Sequence, residues 1–242
     1  MIAIPQCLDF SDVRLTKEIC DFYLKMLQIK NREIYLHSQQ VANYAASTAA
    51  KLGLPASEVS QIKTGALLHD IGQLSVPNLI LAKLPFLSTR ELSIYKRHCI
   101  AGASMLENIP EFTYITDIIR CHHEKWDGSG YPNKIKGKEI PLCARIMACA
   151  DVLDALISER LYKKPFSIEK AMEIFEESKG SHFEPCIADA VIACKPLIFM
   201  IDADFKQSEE TEQSEELKWW TDYHNELQKR SASEDIKRIE EN

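Results

Sequence analysis

Residues 67–72 read LLHDIG. Leu67 and Leu68 close an apolar helical run, His69 and Asp70 follow directly, and Gly72 supplies a natural helix stop. A buried carboxylate is costly unless it is paired or bound to a metal. An adjacent His and Asp bring one imidazole nitrogen and two carboxylate oxygens to nearly one point. That suits half of a metal site, a helix cap, or coincidence, and the other helices decide between them.

Upstream, Pro55 and Ser57 open the helix that ends in this pair, with Ser57 the expected N-cap and Val59, Ile62 and Ala66 its inner row. Before it, Asn31 caps a helix that Gly53 ends. Its apolar row of Ile34, Val41, Tyr44, Thr48 and Leu52 carries His37, and Glu33 lies one turn earlier on the same face. Downstream, a loop punctuated by Pro77 and Pro85 leads to a helix from near Thr89. Its row of Leu92, Tyr95, Gly102 and Leu106 carries His98.

Pro110 starts a further helix, where Phe112, Ile115, Ile118 and Ile119 point one way and His122 is next on the stripe. His123 lies about 100° further round. Residues 124–141 are too polar and too rich in Gly and Pro for a helix, and Asp127-Gly128 and Gly130 read as turns. Residues 142–157 are apolar almost all round, the mark of a central helix, with Asp151 and Asp154 inside it. Ser167 caps a helix that Gly180 ends, and Pro185 opens one more, which Pro196 interrupts. The expected organisation is a helical arm over 1–30, a main domain over 31–204, and a charged tail over 205–242, helical or disordered, anchored by Trp219, Trp220 and Tyr223.

A net charge of −7 disfavours nonspecific binding to nucleic acid or to an anionic membrane. The longest apolar candidate, 187–201, contains Asp189, Lys195 and Pro196, so no membrane span is expected. Eight Cys without C-x-x-C spacing, and without a secretory leader, fit a reduced cytoplasmic compartment.

Five of the seven His (His37, His69, His98, His122 and His123) fall on inward rows or at the ends of four helices. Each alone reads best as a satisfied core histidine. Together with Asp70 and Asp151 they need partners that divalent metals satisfy at once. The donors are nitrogen and oxygen, with no organised thiolates, which suits iron, manganese or zinc in a two-metal site better than a structural zinc. Two metals about 3.5–4 Å apart can share a bridging hydroxide and clamp both oxygens of a phosphoryl displacement, and Asp70 is the natural bridging carboxylate.

The chain resembles the HD-GYP branch of the HD phosphohydrolase superfamily. The matching runs are LLHDIG, ILAK at 80–83, RHCIAGASML at 97–106, CHHEKWDGSGYP at 121–132, IP at 140–141, ARIMACAD at 144–151 and SERLYKK at 158–164. They cover roughly residues 31–195. The resemblance implies an all-α HD-domain helical bundle with a Gly/Pro-rich GYP loop. It also implies hydrolysis of a cyclic dinucleotide, cyclic di-GMP in most relatives.

Carried over residue by residue, the ligands of the metal pair are His69, Asp70, His98, His122, His123 and Asp151, and iron is the first expected ion. Some relatives hold a third metal, and Glu33 and His37 match its spacing. Arg160, Lys163 and Tyr131 match substrate-contacting positions. The Gly130-Tyr131-Pro132 loop resembles a surface that meets diguanylate cyclase partners. The chain departs from the pattern at Gln73, where the family usually carries a catalytic Lys. A metal-dependent phosphodiesterase and a binding module that cuts poorly both remain open: the ligand set favours the first, and Gln73 the second.

Overall fold

A computed structural model describes residues 13–159 and 164–211, together with 214, 218 and 221. Arg160, Lys163, Trp219, Trp220 and Tyr223 lie outside the described residues. The chain divides into two compact units, one up to Phe199 and one from Met200 onward. In the second unit, residues 200–211 are helical.

The first unit is built from α1 (Val13–Lys30), α2 (Arg32–Lys51), α3 (Ala56–Leu68), α4 (Asn78–Leu81), α5 (Thr89–Tyr95), α6 (His98–Leu106), α7 (Thr113–Cys121), α8 (Leu142–Ile157), α9 (Ile168–Glu177) and α10 (Pro185–Ala193). Short 3-10 turns at Ile71–Ser75, Pro110–Phe112 and Gly137–Glu139 interrupt them. Among the described residues there is no strand, so the bundle is all-α as expected. No helix among them is long and apolar enough to cross a membrane.

Side-chain caps start α2, α5 and α9. Asn31 Oδ1 accepts from the backbone N–H groups of Glu33 (2.8 Å) and Ile34 (3.3 Å), satisfying donors that the first turn of α2 leaves free. Ser167 does the same for Lys170 at the start of α9. The expected cap at Ser57 is corrected: α3 begins at Ala56, Pro55 takes the cap position in an extended conformation, and no side chain caps the helix. Ser57 is therefore inside the first turn.

The single helix expected from Thr89 to Leu106 is two, broken at Lys96 and Arg97. Ser88 and Glu91 form a reciprocal capping box that starts α5. At the break, the Tyr95 carbonyl accepts from the His98 ring at 2.7 Å instead of continuing the helical ladder.

Core packing then fixes the elements that carry the candidate ligands. Leu68 and Ile71, which flank His69 and Asp70, pack with Ala103, Leu106, Phe112 and Ile119 in one buried cluster. The inner face of α1, with Cys20, Ile19, Tyr23 and Leu24, is seated on the same cluster. Each large apolar side chain buried this fully stabilises by about 1.5–3 kcal/mol. This packing holds the C-terminal ends of α3 and α7 in place. As its all-round apolar sequence implies, α8 is central and contacts α2, α3, α7, α9 and α10; Ile146, Met147, Cys149 and Leu153 are fully buried.

Gly72 has a different role from a helix stop. A Cβ there would collide with the His98 carbonyl oxygen and stand 2.6 Å from the Gly102 nitrogen. The missing side chain is what lets the turn after His69-Asp70 rest on the backbone of α6, and so brings His98 to the pair.

Candidate metal centre

The ends of α3 and α7 and the start of α6 converge on α2 and α8, and the inward side chains there are mostly nitrogen and oxygen donors. His69, His98 and His122 each direct Nδ1 at a main-chain carbonyl three residues back: Ala66 (2.7 Å), Tyr95 (2.7 Å) and Ile119 (2.9 Å). A carbonyl oxygen only accepts, so each Nδ1 carries a proton, and Nε2 is the atom that offers a lone pair whenever the ring is neutral. His98 Nε2 and His122 Nε2 stand 3.3 Å apart. Two lone pairs at that distance repel unless a cation lies between them. Nitrogens bound at about 2.0–2.1 Å to one ion are separated by roughly this much.

Asp70 connects this pair to a second set. Its Oδ1 is 3.4 Å from His98 Nε2, and its Oδ2 is 3.4 Å from His69 Nε2. Asp70 is 5% exposed, and Oδ1 has no hydrogen-bond partner. A buried carboxylate oxygen left in this state is expensive, and a cation satisfies it.

His37 faces two carboxylates: Nδ1 lies 2.6 Å from Asp154 Oδ2 and Nε2 3.1 Å from Asp151 Oδ1. Asp151 Oδ2 reaches towards His123 Nδ1 at 3.7 Å. The donor atoms fall into two adjoining groups, His37 with His69 and Asp70, and His98 with His122, His123 and Cys99. The residues thus fit divalent metal, with Asp70 between the two groups. His37 is tethered by Asp154, and the three carbonyl-bound rings by main chain, in the orienting manner of second-layer partners at metal sites.

The electrostatics agree with this division of charge. Burial works against ionising Asp70, but His69, His98 and His122 outweigh it and hold its carboxyl well below the usual range. Burial likewise opposes charge on Asp151, and His37 and His123 outweigh it, so that its carboxyl too is held low. Burial pulls the His37 imidazolium down, yet Asp154 and Asp151 push it up to about 10. His122 is lowered by burial and by its neighbouring imidazoles. Burial brings His123 down to about 4. The centre therefore holds ionised carboxylates and, at His122 and His123, neutral rings, whereas His37 and His69 are raised by the carboxylates beside them and would give up a proton on binding a metal.

The GYP loop closes one side. The Tyr131 ring lies 4.7 Å from that of His123, and Lys96 Nζ sits 4.7 Å over the Tyr131 ring. Burial pushes the Tyr131 phenol up, so it stays neutral. The Tyr131 backbone returns to the His123 carbonyl at 3.1 Å. A groove of about 360 Å³ opens beside it, lined by Leu92, Lys96, Arg97, Ile100, Tyr131 and Pro132 among others.

Of the residues expected to bind metal, His37, His69, Asp70, His98, His122, His123 and Asp151 are brought together. Glu33 is exposed on α2, and its carboxylate is in neither donor group. Gln73 is 2% exposed; its Nε2 donates to the Tyr95 hydroxyl at 3.4 Å, and its Oε1 has no hydrogen-bond partner. Asp127 forms the turn expected of it, its Oδ1 accepting from the Ser129 N–H at 2.8 Å.

Three residues escaped the sequence reading in whole or in part. Asp154 accepts from the Ser158 hydroxyl at the helix end, and it also tethers His37. Its place three residues after Asp151, on the same face of α8, was the available signal. Glu124 is 2% exposed, and its Oε1 accepts from the N–H groups of Asn133 (2.6 Å) and Lys134 (3.0 Å), fastening the GYP loop from within. No periodicity marks it. Cys99 stands among the imidazoles: the fold, and not a C-x-x-C spacing, brings the sulfur in.

A helical bundle centred on an adjacent His-Asp pair with further imidazoles gathered round it defines a class of His/Asp-liganded domains. The HD domain model matches residues 22–187, and the chain belongs to that family, in its HD-GYP branch. It is 38% identical over 184 residues to 3'3'-cGAMP-specific phosphodiesterase 2 of Vibrio cholerae serotype O1, covering 75% of this chain and 35% of that one. It is 35% identical over 181 residues to a cyclic di-GMP phosphodiesterase of Thermotoga maritima, covering 71% and 49%. Among solved structures it is similar to Bd1817, an HDG"Y"P protein from Bdellovibrio bacteriovorus, with a TM-score of 0.54 at 25% identity over 65% of this chain and 50% of that one. The chain spans between a third and a half of the length of these curated relatives.

Proposed function

We propose that this chain is a divalent-metal-dependent phosphodiesterase that hydrolyses a cyclic dinucleotide, cyclic di-GMP foremost and 3'3'-cGAMP next. The observation that carries the proposal is Asp70, buried with one oxygen towards each of two donor sets. When bound, divalent ions supply an activated water and offset charge developing on the phosphoryl oxygens. Iron is the ion we favour.

The chain's own residues supply the rest. His69, His98 and His122 keep their Nε2 lone pairs aimed inward because their Nδ1 protons are committed to main-chain carbonyls. Asp154 fixes His37. Tyr131 walls the groove on the His123 side, and Lys96 and Arg97 place two positive charges along it, in a chain of net charge −7. That local sign suits the paired phosphates of a dinucleotide.

The test is metal analysis of anaerobically prepared protein, followed by chromatographic detection of cyclic di-GMP and 3'3'-cGAMP cleavage. We expect about two ions per chain or more, and a linear product. Less than about one ion per chain after reconstitution would end the two-metal reading.

A second reading, a module that binds a dinucleotide and cuts it poorly, is favoured by Gln73, whose neutral amide stands where the HD-GYP resemblance leads us to expect a Lys. Loss of one electrostatic donor at a transition state costs on the order of 100- to 1,000-fold in turnover. Gln73→Lys is expected to recover part of that range with metal content unchanged, measured as kcat on cyclic di-GMP. Binding without cleavage by both proteins is the outcome that selects the module.

A further inference from the structure

We propose that Cys99 is a thiolate ligand of the metal held by His98, His122 and His123, giving that half of the centre a sulfur donor. The proposal rests on the two-metal reading above. Cys99 is the second residue of α6 and is fully buried. Its Sγ is 3.5 Å from His98 Nε2. Sulfur and the donor nitrogens of His98, His122 and His123 all lie within 4.8 Å of one another.

Because His98 Nδ1 is committed to the Tyr95 carbonyl, the nitrogen beside the sulfur is the inward one. The same space receives Asp70 Oδ1, buried and without a hydrogen-bond partner, 3.4 Å from His98 Nε2. Sulfur and imidazole nitrogens thus converge, with a carboxylate oxygen beside His98, and the sulfur lies in the first turn of a helix, whose dipole favours an anionic sulfur.

Without an ion, burial keeps the Cys99 thiol protonated, held well above its ordinary range. On binding, the metal–sulfur bond replaces the S–H bond, and the proton leaves to solvent, with no change of oxidation state. A thiolate favours zinc or ferrous iron over manganese, whose preferred donors are oxygens. The alternative is that Cys99 is a small apolar side chain filling space beside the site.

The experiment uses the full chain loaded anaerobically with cobalt(II), with cobalt counted by elemental analysis and the spectrum recorded. Thiolate ligation gives an intense near-ultraviolet sulfur-to-cobalt charge-transfer band, which imidazole and carboxylate donors do not give. We expect the band in the parent at about two cobalt per chain. We expect its loss in Cys99→Ser and Cys99→Ala, with the weaker visible bands of nitrogen- and oxygen-bound cobalt persisting. Two cobalt per chain without the band in the parent overturns the proposal and needs no variant to fold. A band that persists in either variant overturns it as well. Less than one cobalt per chain instead overturns the two-metal reading on which it stands.

Discussion

Asp70→Ala is expected to lose both metal and activity. The variant removes a buried carboxylate that faces both donor sets, each at 3.4 Å. It also leaves His69, His98 and His122 without the negative charge at the middle of their cluster. Elemental analysis should show at most about one ion per chain, because each set loses the carboxylate oxygen that Asp70 would give it. Turnover of cyclic di-GMP should fall by at least about 1,000-fold, the upper end of what a single transition-state donor contributes.

Asp127→Ala is the matched control, since its carboxylate serves an exposed turn through Ser129. It should keep the parent metal content. If both variants keep full metal content, the centre lies elsewhere in the molecule.

Gly72→Ala is expected to cost about 3 kcal/mol or more, at or beyond the upper end of ordinary overpacking. The added methyl meets main chain at His98 and Gly102, which cannot rotate away as a side-chain tip would. For a chain of this size that is a fall in Tm of roughly 6–12 °C. The backbone that must yield is that of His98 itself, so loss of metal should accompany the loss of stability. Thermal unfolding with metal analysis on the same sample checks both. A variant with parent Tm and parent metal content would mean that the turn and α6 separate without consequence.

Most of the helices, and the residues that line the centre, were legible from the sequence for a definite physical reason. His37, His69, His98 and His122 follow the inward rows of their helices, and a helical row is periodic whether or not the partner helix is known. What periodicity could not give is relation between elements. The break between α5 and α6 depends on the His98 ring taking the Tyr95 carbonyl, a side-chain choice that leaves no mark on the apolar row. The role of Gly72 depends on what packs against it, and in the sequence it looks the same as a helix stop. Cys99 is next to His98 and off its row, so only the convergence of α6 and α7 shows it among donors. Pro55 in place of Ser57 as the cap of α3 is a shift at a helix end, where neighbouring residues compete on small energy differences.

The tether between His37 and Asp154 joins residues 117 positions apart. Neither donor set can be assembled from one local stretch of chain: His37 comes from α2, His69 and Asp70 from the end of α3, and His98 with His122 from α6 and α7. Contacts this distant in sequence close only after much of the intervening chain is ordered. An ion bound here therefore rewards the completed topology and no fragment of it. It would act as a clasp on a long loop of the bundle, so that loosening α2 from α8 would weaken the grip on the ion, and withdrawing the ion would loosen α2 from α8.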